Sequence, residues 1–109
     1  MAYNHEIAEE IRGLIASHPG LTEKEMFGGI AFMIHGNMAV GVSGDELMVR
    51  VGKDAHDEMM ARPGATTFDK AARPMRGWLN VTSEGFKTED DFKAWIDRGV
   101  AFAESLPKK

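Results

Sequence analysis

The stretch MFGGIAFMIHGNMAVGVSGDELMVRVG, Met26 to Gly52, decides the fold, because Gly28, Gly36, Gly44 and Gly52 recur eight residues apart. Strands punctuated by glycine turns at that spacing form an antiparallel meander. Between the glycines lie Ile30 to His35, Met38 to Val42 and Leu47 to Val51, rich in β-branched and long apolar side chains that suit a pleated surface. Three strands with two tight connections are expected. If Gly36 and Asn37 form the two-residue turn, His35 pairs with Met38, Met33 with Val40 and Phe32 with Gly41, whose bare backbone Phe32 then covers. One face carries Ala31, Met33, Met38, Val40 and Val42, and the other Ile30, Phe32, Ile34 and Ala39. Both faces are apolar. A single helical layer covers only one of them, so the second needs cover from elsewhere in the chain or from a second copy, and a homodimer is expected. Arg50, beside Met48 on the third strand, marks the rim of that cover.

Upstream, Asn4 caps a helix whose Ile7, Ile11, Leu14 and Ile15 share one face, and Pro19 with Gly20 ends it. Thr22 and Glu25 have capping-box spacing, but Phe27 and the glycine pair allow one helical turn at most. Gly28 and Gly29 predict a bulge or a close backbone approach where the first strand begins, with an anion nest as the alternative to the bulge. Downstream, Asp54 caps a short helix containing Ala55, His56, Met59 and Met60, closed by Pro63 and Gly64. Thr66 to Phe68 and Trp78 to Val81 are short strands, joined by a polar loop with Lys70, Arg73, Pro74, Arg76 and Gly77. From Thr88, with Asp91 at the capping-box position, a long helix lines up Phe92, Trp95, Ile96, Gly99, Phe102 and Leu106. The expected fold is α+β, an antiparallel sheet of about five strands flanked by helices in the order α-β-β-β-α-β-β-α, as a single domain over residues 1–109.

A chain of 109 residues with 43% apolar and 28% charged residues suits one globular domain with one core. It has no cysteine, which excludes disulfides and thiolate metal sites and agrees with a reducing compartment. No basic segment followed by an apolar core opens the chain, and no apolar run approaches membrane-spanning length, so a cytoplasmic location and no membrane contact are expected. The net charge of −4 is unevenly spread, since residues 50–76 carry six basic side chains against four acidic ones. That modest basic region in an acidic chain is a weak footprint for nucleic acid, so DNA contact through Arg50, Arg73 and Arg76 stands as the alternative.

His5, His18, His35 and His56 show no metal-ligand spacing, and neither Ser17 nor Ser43 has a base placed by the sequence. No catalytic residue, metal, cofactor or enzymatic activity is expected. The methionines mostly fill core, but Met33 and Met38 with Val40 form an apolar sheet face of the adaptable kind that suits a protein interface. Trp78 and Trp95 are read as core anchors. Arg73 and Arg76 flank Pro74 and offer two planar forks to a carboxylate or phosphate, or else pair with Asp69 or the acidic first helix.

Met26 Phe27 Gly28 Gly29, Gly36 Asn37 Met38, Leu47 to Gly52, Phe68 Asp69 and Arg73 Pro74 Met75 stand in an order and spacing that resemble the N-terminal domain of TfoX/Sxy proteins. The likeness spans roughly Asn4 to Leu106. It implies an α+β domain with an antiparallel sheet flanked by helices. It also implies a bacterial regulatory context, because members of the family promote competence-gene expression together with a cyclic-AMP-responsive transcription factor. Competence regulators of this type look like two-domain proteins, and this chain corresponds to the first domain alone. Ala72 stands where the family commonly has glycine, which predicts an altered loop there. On this likeness the chain is a non-enzymatic regulatory module acting through protein contacts, with a homodimer or a transcription factor as partner and Arg50, Arg73, Arg76, Met33, Met38 and Val40 as candidate contact residues.

Overall fold

The computed structural model describes residues 3–26, 29–70 and 73–107, with side chains described outside residue 26 and residues 67–76. Its elements are α1 (His5–Ile15), β1 (Leu21–Met26), β2 (Gly29–Ile34), β3 (Asn37–Ser43), β4 (Glu46–Arg50), α2 (His56–Met60), β5 (Ala65–Lys70), β6 (Arg73–Val81), a 3-10 turn (Ser83–Phe86) and α3 (Glu89–Glu104). The six strands form one antiparallel sheet in the order β1-β2-β3-β4-β6-β5. This is the expected α+β architecture with one strand more.

The extra strand is β1, where one helical turn was expected. A capping box seeds only a single costly turn, whereas pairing Leu21 with Ile34 through to Met26 with Gly29 satisfies the open edge of β2 along its length. Its charged Glu23, Lys24 and Glu25 suit an edge strand, where they discourage pairing with another chain.

The β2–β3 hairpin departs from the expected register. The turn residues are His35 and Gly36, with φ of 51° and 85°, so Ile34 pairs with Asn37 and Met33 with Met38. Two successive left-handed residues match the twist of the flanking strands, and histidine is among the side chains that tolerate that conformation. A register shift between Phe32 and Met33 then pairs Phe32 with Val40 and Ala31 with Gly41, in place of the expected Met33 with Val40 and Phe32 with Gly41. The consequence is a change of face. Val40 and Val42 join Ile30, Phe32 and Ile34 in the main core, and Val40 is 0% exposed, so the placement of Val40 beside Met33 is corrected. Of the glycine pair, Gly28 lies outside the described residues, whereas Gly29 makes the expected close backbone approach, since a Cβ there would collide with the Val42 carbonyl oxygen.

The main core forms under the helices. Ile11 and Ile15 of α1, Met59 of α2 and Phe92, Trp95 and Ile96 of α3 pack with inward residues of β2, β3, β4 and β6 in one cluster. Asn4 caps α1 by accepting from the Glu6 and Ile7 N–H groups, and Thr88 caps α3 by accepting from Asp91 N–H, as expected. Leu14 is 42% exposed, because the buried stripe runs through Ala8, Ile11 and Ile15 instead. The short helix α2 starts after Ala55 rather than Asp54 and has no side-chain cap. Gly99 brings α3 against β3 so closely that a Cβ there would meet Ala39 O and Val40 Cγ1, each at 2.5 Å.

The expected polar loop from Lys70 to Gly77 is mostly strand. Lys70 pairs with Arg73 and Asp69 with Pro74, leaving a short connection that includes Ala72, outside the described residues. Pro74 is tolerated because β6 pairs with β4 only from Trp78 to Val81, so the proline sits where β6 has β5 alone as a neighbour.

Candidate interaction surface

With α1, α2 and α3 packed into one core, the opposite sheet face carries Ala31, Met38 and Met48, with Trp78 packed beside them. The face is not bare. Met38 is 9% exposed and Met48 1%, and their terminal methyls lie over Gly41, where a Cβ would meet Met48 Cε at 2.7 Å and Met38 Cε at 3.2 Å. The methionines, and not Phe32, therefore cover the glycine. Flexible thioether chains suit this task because they can lie flat over exposed backbone. What remains accessible is a shallow strip in which Met33 and Trp78 are half-buried.

At one end of this strip the chain builds a cleft of about 420 Å³ between the end of β4, the segment after it, β6 and α3. Arg50 and Trp78 are paired residues across β4 and β6. The Arg50 guanidinium carbon lies 5.0 Å from the Trp78 ring centre and 5.3 Å from that of Phe102 on α3. Such contacts draw a cation to the negative faces of the rings and fix the plane of the fork. Among the described residues no carboxylate or carbonyl bonds to Arg50, and burial alone pushes its guanidinium below the ordinary arginine value.

The floor of the cleft is held by backbone. Val51 N–H and Gly52 N–H both donate to Gly77 O, at 2.8 and 3.1 Å. Gly77 N–H in turn donates to Nδ1 of the buried His56, at 2.9 Å. An imidazole accepts at Nδ1 only when that nitrogen is unprotonated, so the ring proton is on Nε2. Phe102 lies against Gly52, where a side chain would collide with its ring.

Two polar ties hold α1 to the sheet and the turn after α1 to α3. Arg12 of α1 donates from Nε and Nη2 to the two Glu23 oxygens on β1, at 2.7 and 2.8 Å, and also bonds Glu9. This fork holds the Glu23 carboxyl below the usual carboxylate range. His18 bonds Pro19 O through Nδ1 and Glu104 through Nε2. The Pro19 carbonyl first, and the Glu104 carboxylate second, raise the His18 pKa by accepting from the protonated ring. Among the described residues no group of three or more histidine, aspartate or glutamate side chains is arranged to hold a metal.

Of the six candidate contact residues, the structure brings Met33 and Met38 together on the helix-free face, places Arg50 in the neighbouring cleft and sends Val40 to the opposite core. Arg73 and Arg76 have their backbones in β6, and their side chains lie outside the described ones. Sequence reasoning missed Phe102, which meets Arg50 only through the packing of α3, and Lys53, which lines the same cleft. The signal present in the sequence was one arginine in the otherwise apolar run Leu47 to Val51. No helix among the described residues is long and apolar enough to cross a membrane.

A comparison with curated proteins finds no match. The TfoX N-terminal domain model matches residues 13–103, which includes β1 to β6, α2 and nearly all of α3. With the six-stranded α+β fold and a match over most of its 109 residues, this chain belongs to the TfoX N-terminal domain family.

Proposed function

We propose that this TfoX-like module is a non-enzymatic, cytoplasmic regulatory domain whose helix-free sheet face makes reversible contacts with protein partners, a second copy of the chain first among them. The observation that carries this reading is the strip on that face, where half-buried Met33 and Trp78 flank a methionine pair already folded over Gly41. Methionine-rich surfaces repack around different partners at little cost. Because Ala31, Met38 and Met48 are covered within one chain, the contact is the small, transient kind and not an obligate interface resembling a divided core. The regulatory role rests on the TfoX/Sxy likeness, whose members act alongside a transcription factor.

Light scattering over about 0.01 to 1 mM chain is the test, since transient contacts have dissociation constants in that range. The mass should rise toward that of two chains, and Met33→Glu should hold it at one while leaving the circular dichroism spectrum unchanged. A wild-type mass independent of concentration, or an association that Met33→Glu leaves intact, would contradict the reading.

A further inference from the structure

The cleft beside Arg50 has the attributes of a ligand site, and it shares Trp78 with the sheet face proposed for protein contact. Its volume of about 420 Å³ falls within the range of small-molecule pockets, roughly 300 to 1,000 Å³. Its walls are largely apolar, from Val51, Ala55, Trp78 and Phe102. Its charge comes from Arg50 and Lys53 against Asp54, so one positive charge is left over. Arg50 lies over two rings yet bonds no acceptor among the described residues, so its hydrogen-bonding capacity is left for a ligand. A guanidinium edge of this kind matches a carboxylate in two parallel hydrogen bonds. A phosphate dianion would bring more charge than the cleft balances, and Asp54 would repel it.

We propose that this cleft binds a small organic monocarboxylate with an apolar or aromatic body, the carboxylate forked on Arg50 and the body held against Trp78 and Phe102. Lys53, exposed at the rim, adds long-range attraction and a weaker contact. Burial disfavours the charged form of Arg50, and the charge of a bound carboxylate would offset that penalty.

The experiment is a titration of the whole chain with sodium phenylacetate, followed by the indole N–H resonances of its two tryptophans. Trp95 donates its indole N–H to Gly85 O within the core and serves as the internal reference. The Trp78 resonance should shift saturably, while phenylacetamide, the neutral amide of the same shape, and inorganic phosphate should leave it in place. Arg50→Gln should weaken binding about tenfold or more, as expected for a charged hydrogen-bonding group, and Lys53→Gln several-fold. Equal shifts with the amide, saturation by phosphate instead, no shift with phenylacetate, or Arg50→Gln binding as tightly as wild type would each overturn the proposal. The amide comparison uses the unaltered chain, so it decides the matter even where Arg50→Gln fails to fold.

Discussion

Val40 and Met33 make the sharpest contrast at the scale of single residues. They pair in an unbroken hairpin with a turn at Gly36 and Asn37, but the turn at His35 and Gly36 and the register shift beside Phe32 send them to opposite faces. Val40→Asp should unfold the protein, since an unpaired charge in the core costs more than most domains can offset. Met33→Glu should change unfolding free energy by about 1 kcal/mol or less, as for other partly exposed positions. Urea titrations of both variants check this, and equal effects would mean that the shift is absent. His56→Ala should cost about 1–3 kcal/mol by leaving the buried Gly77 N–H without its acceptor. Alternation of apolar side chains could not reveal the change of face, because every residue from Met38 to Val42 is apolar or glycine and either register looks acceptable. Arg50 was visible as an oddity in β4, while its aromatic neighbours depended on β4 pairing with β6 and on where α3 ends.

Among the elements, the two long helices were legible to their caps. Asn4 and Thr88 each offer a short side-chain oxygen where a helix begins, and each accepts from free N–H donors of its first turn. The strand β1 was hidden, because Thr22 to Glu25 read as a helix start and only the open edge of β2 makes them extended. Two glycine substitutions separate helix propensity from packing. Gly13→Ala in α1 meets nothing within 4 Å and should stabilise the protein by about 0.5–1 kcal/mol through backbone entropy. Gly99→Ala in α3 gains the same propensity but drives a methyl into the Ala39 carbonyl, and should destabilise by about 1–3 kcal/mol. Thermal melting of the pair should show shifts of opposite sign.

The ties between elements respond to pH in opposite directions. Glu23 has a lowered pKa through Arg12, so its contribution is present above its unfolded value near 4.5 and is lost as pH falls through the folded value. His18 has a raised pKa, so its contribution is complete below its unfolded value near 6.5 and is lost as pH rises through the folded value. Urea midpoints measured across pH should therefore decline on both sides. Glu104→Gln should reduce the loss on the alkaline side and His18→Gln should remove it, while Arg12→Gln should remove the Glu23 contribution to the acid side.

For the molecule as a whole, the arrangement of layers follows from where apolar residues could be buried. Three helices and the 3-10 turn serve one sheet face, and the other closes itself with Met38 and Met48. Both apolar faces were legible in the sequence. That the second closes largely within the chain was not, because it depends on two methionine rotamers over Gly41. This closure favours a reversible contact centred on Met33 and Trp78 as the form of the proposed homodimer.

The most direct test of that contact is a series of amide nitrogen–proton correlation spectra of the chain from about 0.05 to 1 mM, a span matched to a weak complex. Concentration-dependent shifts should concentrate at Met33, Met38, Met48, Arg50 and Trp78, with α1 and α3 silent. Spectra identical across the series, or shifts confined to the helices, would contradict the account.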